Sequence, residues 1–299
     1  MNKFMKTFRT VLSGSLFYSA LIFGMAGISM HSSAATPKSV LVVTTTTGFR
    51  HDSIPTAERI LGQLAQQSGL FTVDYARVEP KDPQFKGPDG KPNMEAVTNA
   101  IAKVLAEKMS PAALKKYDAI IFANTTGDLP LPDNQAFIDW VKAGGGFVGM
   151  HSASDTFHHF SPYIEMIGAE FKTHGAQVQV EPINQDSACP ACSHLPAMWQ
   201  VYDEIYQFKN FDRSKVHGLL TLDKHPNDKT PGDYPISWCK EFGKGRVFYT
   251  SLGHRDEIWD PAATDRKNPK EVAEAYQKHI LEGIKWALRL ENWNAKPQS

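Results

Sequence analysis

Residues 144–155, which read GGGFVGMHSASD, decide the fold of this chain. A helix predicted over residues 134–143 runs into the glycine turn, and a short apolar strand is predicted over residues 147–150. This strand ends abruptly in four polar residues, His151, Ser152, Ser154 and Asp155. In open α/β sheets, ligands bind beyond the carboxyl ends of the strands, so this polar cluster is placed for chemistry. Helix capping by Ser and Asp is the alternative, but capping does not need a histidine.

Apolar runs and helical patterns alternate outward from this stretch. Strands are predicted at residues 40–43, 71–76, 118–123 and 147–150, and helices at 54–67, 94–108 and 134–143. The alternation predicts an α/β fold, a three-layer sandwich with a mostly parallel central sheet. Beyond residue 168 the predicted strands are residues 176–183, 204–208, 216–222, 236–242 and 246–250. We expect these added strands to extend the sheet or to form a small side sheet before a final helix over residues 271–290.

Polar residues follow several of the predicted strands. Parallel strands deliver their carboxyl ends to the same edge of a sheet, so these residues are expected to converge. They are His51, Asn124, Thr125, Asp128, His151, Ser152, Asp155 and His254. A single histidine is more often a hydrogen-bonding residue than a ligand, but three at the tips of three strands point to a site.

Composition and charge limit the classes of function. The chain has 299 residues, of which 41% are hydrophobic and 21% charged, as in ordinary globular proteins. Thirty-two basic residues balance 32 acidic ones over the whole chain. Without residues 1–35, which hold three basic and no acidic residues, 29 basic face 32 acidic residues. This balance leaves no excess of positive charge with which to bind nucleic acid or an anionic membrane surface.

Residues 1–35 have the pattern of a secretory signal peptide. A basic start precedes an apolar run over residues 11–30, and the small residues 33–35, SAA, precede Thr36. The run is long enough to be an uncleaved anchor, but its Gly and Ser content favours cleavage. We expect cleavage after Ala35, which leaves residues 36–299 as a single exported domain, secreted or periplasmic, without a stable membrane anchor.

The chain contains three cysteines, Cys189, Cys192 and Cys239. In an oxidising compartment, the spacing of the first two predicts a local disulfide of structural use. A thioredoxin-like redox motif is the alternative, but it requires a helix start after a strand, and this segment has the composition of a loop. Cys239 lies in an alternating stretch and is predicted to be a buried thiol.

Several segments together resemble the ThuA-like, or trehalose-utilisation, family. They are residues 48–55, 117–128, 144–156, 203–206, 216–223, 236–239 and 245–254. The resemblance covers roughly residues 38–290. It implies a flavodoxin-like core similar to that of class I glutamine amidotransferases. It also implies a role in sugar catabolism, in particular in pathways that oxidise glycosides at C3.

One departure from the amidotransferases bears on activity. Those enzymes carry their nucleophilic cysteine in a turn after a strand, and here His151 occupies that place in the sequence GMHSA. His254 takes a position like that of the histidine that acts with this cysteine in the amidotransferases. Acyl transfer needs a thiolate or an alkoxide, and Ser152 lies one position off. We therefore expect neither glutaminase nor protease activity.

The first functional hypothesis is an enzyme that acts on a small carbohydrate, a glycoside or keto-sugar. His151, His254 and Asp155 are its predicted catalytic residues, or else the ligands of a divalent metal ion. The predicted substrate-binding residues are His51, Asn124, Thr125, Asp128 and Ser152. A non-catalytic sugar-binding module is the second hypothesis, and a glycosidase that uses paired carboxylates such as Asp128 and Asp155 is the third.

Overall fold

The structure is a computed structural model of the chain, and it describes residues 36–298. The strands in this part of the chain are β1 (Lys38–Val43), β2 (Phe71–Ala76), β3 (Ala119–Ala123), β4 (Gly146–Met150), β5 (Glu170–His174), β6 (Val178–Val180), β7 (Ile183–Asn184), β8 (Val201–Asp203), β9 (Tyr206–Lys209), β10 (His217–Lys224), β11 (Pro231–Phe242) and β12 (Gly245–Thr250). The α-helices are α1 (Ile54–Ser68), α2 (Met94–Met109), α3 (Pro111–Leu114), α4 (Asn134–Lys142), α5 (Ser161–Ile167), α6 (Asp256–Trp259) and α7 (Lys270–Ala287).

The central sheet has the strand order β2-β1-β3-β4-β12-β11-β10-β7. The five strands from β2 to β12 are parallel, whereas β11, β10 and β7 continue the sheet in antiparallel fashion. Two small antiparallel sheets, β5–β9 and β6–β8, lie outside it. This architecture confirms the predicted α/β class, with a mostly parallel central sheet and added strands.

Alternate side chains of the parallel strands point into two separate cores. In β3, for example, Ile121 lies in one core and Phe122 in the other, and both are fully buried. Helices α1 and α7 cover the first core, and helices α2, α4 and α5 cover the second. The sheet is therefore buried on both faces, which is why its strands are nearly continuous apolar runs.

Several regions differ from the sequence expectation, among them β5, β8 and the segment over residues 176–183. The strand expected over residues 176–183 is divided into β6 and β7, which are separated by Glu181 and Pro182. Proline has no backbone N–H to donate to a strand ladder, which accounts for the break. Strand β5 was not predicted, because its sequence, EFKTH, has one buried residue and three exposed ones and so lacks an apolar alternation.

The expected disulfide between Cys189 and Cys192 is not formed in the structure, where both residues are buried with free thiols. Backbone hydrogen bonds order the turn instead, from Cys192 to the Cys189 carbonyl and from Cys189 to the Asp186 carbonyl. The Cys192 thiol packs inward, 3.8 Å from the Leu219 carbonyl oxygen. Cys239 is also buried, as predicted.

The predicted signal peptide, residues 1–35, lies outside the described residues. Among the helices of residues 36–298, none combines the length and the apolar character needed to cross a bilayer.

His279 is a buried titratable residue of the core between α7 and the sheet. Its Nδ1 lies 2.7 Å from the Ala191 carbonyl oxygen, and its Nε2 lies 3.1 Å from Ser237 Oγ. Burial lowers the pKa of His279 to about 4. The folded state therefore holds this ring neutral at pH values where the unfolded chain protonates it.

We expect the substitution His279→Gln to reduce the acid sensitivity of folding. A lowered folded-state pKa contributes stability above the unfolded value of 6.5, and this stability is lost as the pH falls towards 4. For one proton, the free energy of unfolding falls by about 2 kcal/mol between pH 6.5 and pH 5. Urea unfolding at pH 7 and pH 5 measures it in both proteins. Equal pH dependence in the two proteins would contradict the prediction.

Candidate active site

Four parallel strands bring the candidate residues to one edge of the sheet. Strands β1, β3, β4 and β12 are neighbours in that order. The segments that follow them supply His51, Asn124, His151 and His254 respectively. Each candidate therefore comes from the carboxyl end of a different strand, at the edge where open α/β sheets bind ligands.

His151 directly follows β4 and has a left-handed backbone conformation, with φ of 47°. Its carbonyl oxygen accepts a hydrogen bond of 2.6 Å from the Tyr249 hydroxyl. Ring atom Nδ1 lies 2.8 Å from the Ser251 carbonyl oxygen. Because a carbonyl only accepts, Nδ1 carries the proton, and the lone pair of the neutral ring is on Nε2.

The Nε2 lone pair of His151 faces the ring of His51. The two Nε2 atoms are 3.1 Å apart, and Ser152 Oγ lies 3.3 Å from His51 Nδ1. Burial, reinforced by the nearby His254, lowers the pKa of His51 to about 4. Burial also lowers the pKa of His151 well below its ordinary value. Both rings are therefore neutral at pH 7.

Glu204, in the link between β8 and β9, supplies a carboxylate to these histidines. Its Oε2 lies 3.3 Å from His254 Nδ1 and 3.8 Å from His151 Nε2, and its Oε1 lies 3.1 Å from His174 Nδ1. Burial opposes a charge on His254, but the Glu204 carboxylate outweighs it and raises the pKa of His254. The Tyr206 hydroxyl lies 3.3 Å from His151 Nε2.

We call His51, His151, His254 and Glu204 the His–Glu cluster. One nitrogen or carboxylate oxygen from each of these residues lies within 4.8 Å of those from the other three. Sequence reasoning placed the three histidines at this edge but missed Glu204, and also Tyr206. Both residues fall in one of the segments that carry the family resemblance, and that was the only signal for them.

The loop that carries His254 is fixed through the peptide groups of Gly253. The Gly253 carbonyl oxygen accepts hydrogen bonds from Ser53 Oγ, Asn124 Nδ2 and Trp259 Nε1 at 3.1, 3.1 and 2.8 Å. The Gly253 amide donates to Asp203 Oδ2 at 2.7 Å. Gly253 has φ of 124°, a conformation that favours glycine. His254 is therefore presented by a rigid turn.

Asp155, predicted to act beside His151 and His254, is not part of the His–Glu cluster. Its carboxylate lies 2.6 Å from His158 Nε2, and the other ring nitrogen of His158 lies 2.7 Å from Glu170 Oε1. Two carboxylates at both nitrogens require a doubly protonated ring. Burial opposes this charge, but the two carboxylates outweigh it and raise the pKa of His158. Asp155 thus belongs to a separate ionic network.

The predicted substrate-binding residues have diverse environments. Asn124 is buried and donates to Ser53 Oγ and to the Gly253 carbonyl, so it supports the site through the backbone. Thr125 is buried, with its hydroxyl 2.8 Å from that of Thr156. Asp128 is exposed, and its backbone carbonyl accepts a hydrogen bond from Thr47.

Access to the His–Glu cluster is from the side of His254, whose side chain is 22% exposed, whereas that of His151 is 0% exposed. A polar cavity of about 460 Å³ lies beside it, lined by Asp52, Gln177, His254 and Arg255 among others. Phe49 is 66% exposed, and its ring contacts that of His51 edge to face, with centroids 4.9 Å apart. The site thus combines the buried imidazole rings of His51 and His151 with the exposed aromatic ring of Phe49.

Fold and site together define an α/β sandwich protein with a histidine-rich site at the carboxyl edge of its parallel strands. The family model described as trehalose utilisation, ThuA, matches residues 39–287, and the chain belongs to the ThuA family.

Two solved structures are similar to this one. A ThuA-like protein from Bacteroides uniformis is 20% identical, with a TM-score of 0.61 over 85% of this chain and 93% of that chain. A ThuA-like protein from Parabacteroides merdae is 19% identical, with a TM-score of 0.60 over 85% of this chain and 91% of that chain. At these identities the likeness shows the fold. None of the curated proteins compared with the chain matches it significantly.

We expect Asp203→Ala to loosen the turn that presents His254. The substitution leaves the buried Gly253 amide without its acceptor, which costs about 1–3 kcal/mol. Asp203→Asn is the matched control, because its side-chain oxygen can still accept that hydrogen bond. Urea unfolding and hydrogen exchange at the Gly253 amide measure the effect. Unchanged exchange in the alanine variant would show that Asp203 does not hold this turn.

Proposed function

We propose that this protein is an exported enzyme of carbohydrate catabolism that acts on a glycoside or keto-sugar, including 3-keto-glycosides, by histidine acid–base or metal-assisted chemistry. Membership of the ThuA family supports a role in carbohydrate utilisation. The observation that carries the proposal is the His–Glu cluster, where three imidazoles and one carboxylate converge at the ligand-binding edge of the sheet.

Sugar carbonyl chemistry suits these groups. A ketone at C3 acidifies the proton on C2, so cleavage needs a group that takes this proton and a second group that polarises the carbonyl. The electron pair left on C2 forms a double bond to C1 as the glycosidic C1–O bond breaks, and the departing oxygen takes up a proton. Neutral imidazoles, a carboxylate and the Tyr206 hydroxyl are the kinds of group that perform such steps.

Acyl transfer is not supported. His151 has the strained turn position in which amidotransferases carry their nucleophile, and an imidazole there cannot form the required thioester. Ser152, the neighbouring hydroxyl, is fully buried. Its contact with His51 Nδ1 is a long 3.3 Å, so we assign it to orienting that ring.

Phe49 is the proposed contact for the apolar face of the sugar. Binding sites for small molecules combine aromatic surface with a few polar groups, and here the exposed ring of Phe49 adjoins the buried ring of His51. The Phe49 backbone is fixed, since its carbonyl oxygen accepts a hydrogen bond of 2.7 Å from Thr126 Oγ1.

Turnover of 3-keto-glycosides tests the function. We expect the wild type to consume such a substrate and His151→Ala to reduce kcat/KM by about 10²–10⁴-fold, the range for a lost acid–base group. His225→Ala, a histidine in the turn between β10 and β11, is the matched control and should keep full activity. Binding of the sugar without turnover in the wild type would instead establish a sugar-binding module.

Substitution of Phe49 tests the proposed sugar contact separately. We expect Phe49→Ala to raise KM several-fold with little change in kcat, because lost apolar contact of about 1 kcal/mol weakens substrate and transition state alike. Phe49→Tyr keeps the ring and should retain the wild-type KM. Steady-state kinetics on the same substrate measure both values, and an unaltered KM in the alanine variant would refute the contact.

A further inference from the structure

Two distances within the His–Glu cluster match those between ligand atoms of one metal ion. His51 Nε2 and His151 Nε2 are 3.1 Å apart, and His254 Nδ1 and Glu204 Oε2 are 3.3 Å apart. At metal–ligand distances of about 2.0–2.1 Å, two ligand atoms lie about 2.9 Å apart at a right angle and about 3.3 Å apart at a tetrahedral angle. Both separations fall in this range, and the 3.8 Å between His151 Nε2 and Glu204 Oε2 corresponds to a wider angle at the ion.

The ring nitrogens of His151 and His51 face each other within the cluster. His151 donates its Nδ1 proton to the Ser251 carbonyl, an arrangement typical of metal-bound histidines, because it fixes the tautomer and orients the ring. His51 has the Ser152 hydroxyl beside its own Nδ1, which leaves Nε2 for the centre. His51 Nε2, 3.1 Å from His151 Nε2, can donate a hydrogen bond to it, and a cation bound by both nitrogens would take the place of that shared proton.

His254 adds a second, independent observation. Among residues 36–298, its Nδ1 is one of the buried side-chain atoms that make no hydrogen bond, although Glu204 Oε2 lies 3.3 Å away. The contact with Glu204 is thus an ion pair without hydrogen-bond geometry, which leaves this buried nitrogen incompletely satisfied. A cation bound to both atoms would satisfy the nitrogen and the carboxylate at once.

We propose that His51, His151, His254 and Glu204 bind one divalent first-row transition metal ion, of the kind that Zn²⁺ represents. Three imidazoles and one carboxylate suit such ions, whereas Ca²⁺ and Mg²⁺ require mainly oxygen ligands. Glu204 replaces Asp155 as the carboxylate ligand, because the Asp155 carboxylate is bonded to the ring of His158. The assignment of a role rests on the proposed function, in which the ion would polarise the sugar carbonyl.

Metal binding can be measured without any substrate. We expect the purified protein, freed of metal with a chelator, to bind Zn²⁺ in a calorimetric titration with a stoichiometry of one per chain. Co²⁺ should give the visible absorption of an ion bound by nitrogen and oxygen ligands. Millimolar Mg²⁺ or Ca²⁺ should not displace Zn²⁺, and displacement by either would overturn the assignment of a nitrogen-rich site.

Matched variants locate the bound ion. Glu204→Gln, which preserves the shape of the side chain, and His254→Ala should each weaken Zn²⁺ binding by at least about 10- to 100-fold. Asp155→Asn is the control and should bind Zn²⁺ as the wild type does. Circular dichroism establishes that each variant is folded. Undiminished binding in folded Glu204→Gln and His254→Ala, or no Zn²⁺ binding by the wild type, would overturn the proposal.

The same measurements distinguish the two proposals. One Zn²⁺ per chain at these residues, with no turnover of any keto-glycoside, would support the metal site and refute the proposed function. Equal turnover by the metal-free and Zn²⁺-loaded proteins would uphold the function and overturn the role assigned to the ion.

Discussion

The structure depends on the position of β4, which pairs with β3 on one edge and β12 on the other and is covered by helices on both faces. Every residue of β4 is buried, and there is no room for a side chain at Gly149. A Cβ there would lie 2.9 Å from the Tyr249 ring and 3.1 Å from Ile167. This crowding, together with the strained turn that follows, fixes His151 between the strand ends that carry Asn124 and His254.

The sequence allowed the central sheet and the three histidines to be placed, because both depend on patterns that are local in sequence. Buried parallel strands are apolar runs, and the topology of the sheet carries their ends to one edge. Glu204 could not be placed in the same way. It follows β8, a strand of three residues in a side sheet, and no periodicity tells where so short a strand packs. Its approach to His254 is a result of tertiary packing alone.

Asp155 shows the same limit of sequence-based prediction, because it was predicted at the site but lies outside the His–Glu cluster. It follows β4 closely, and its distance along the chain gave no reason to separate it from His151. Its hydrogen-bond partner is His158, whose two ring nitrogens contact the carboxylates of Asp155 and Glu170. Two electrostatic environments therefore lie close together in the sequence. Burial lowers the pKa of His51 and His151, whereas two carboxylates raise the pKa of His158, and residue type alone does not distinguish these environments.

The backbone N–H and C=O of Gly253 are bonded to side chains of residues 53, 124, 203 and 259, of which the first three come from distant parts of the chain. No contiguous fragment can reproduce this junction, so a shortened chain would lose the site even if it kept much of the sheet. The connecting loops, in contrast, can change length at little energetic cost as long as these anchor residues are kept. New binding specificities in proteins built on this plan can therefore evolve by loop insertion around an unaltered centre.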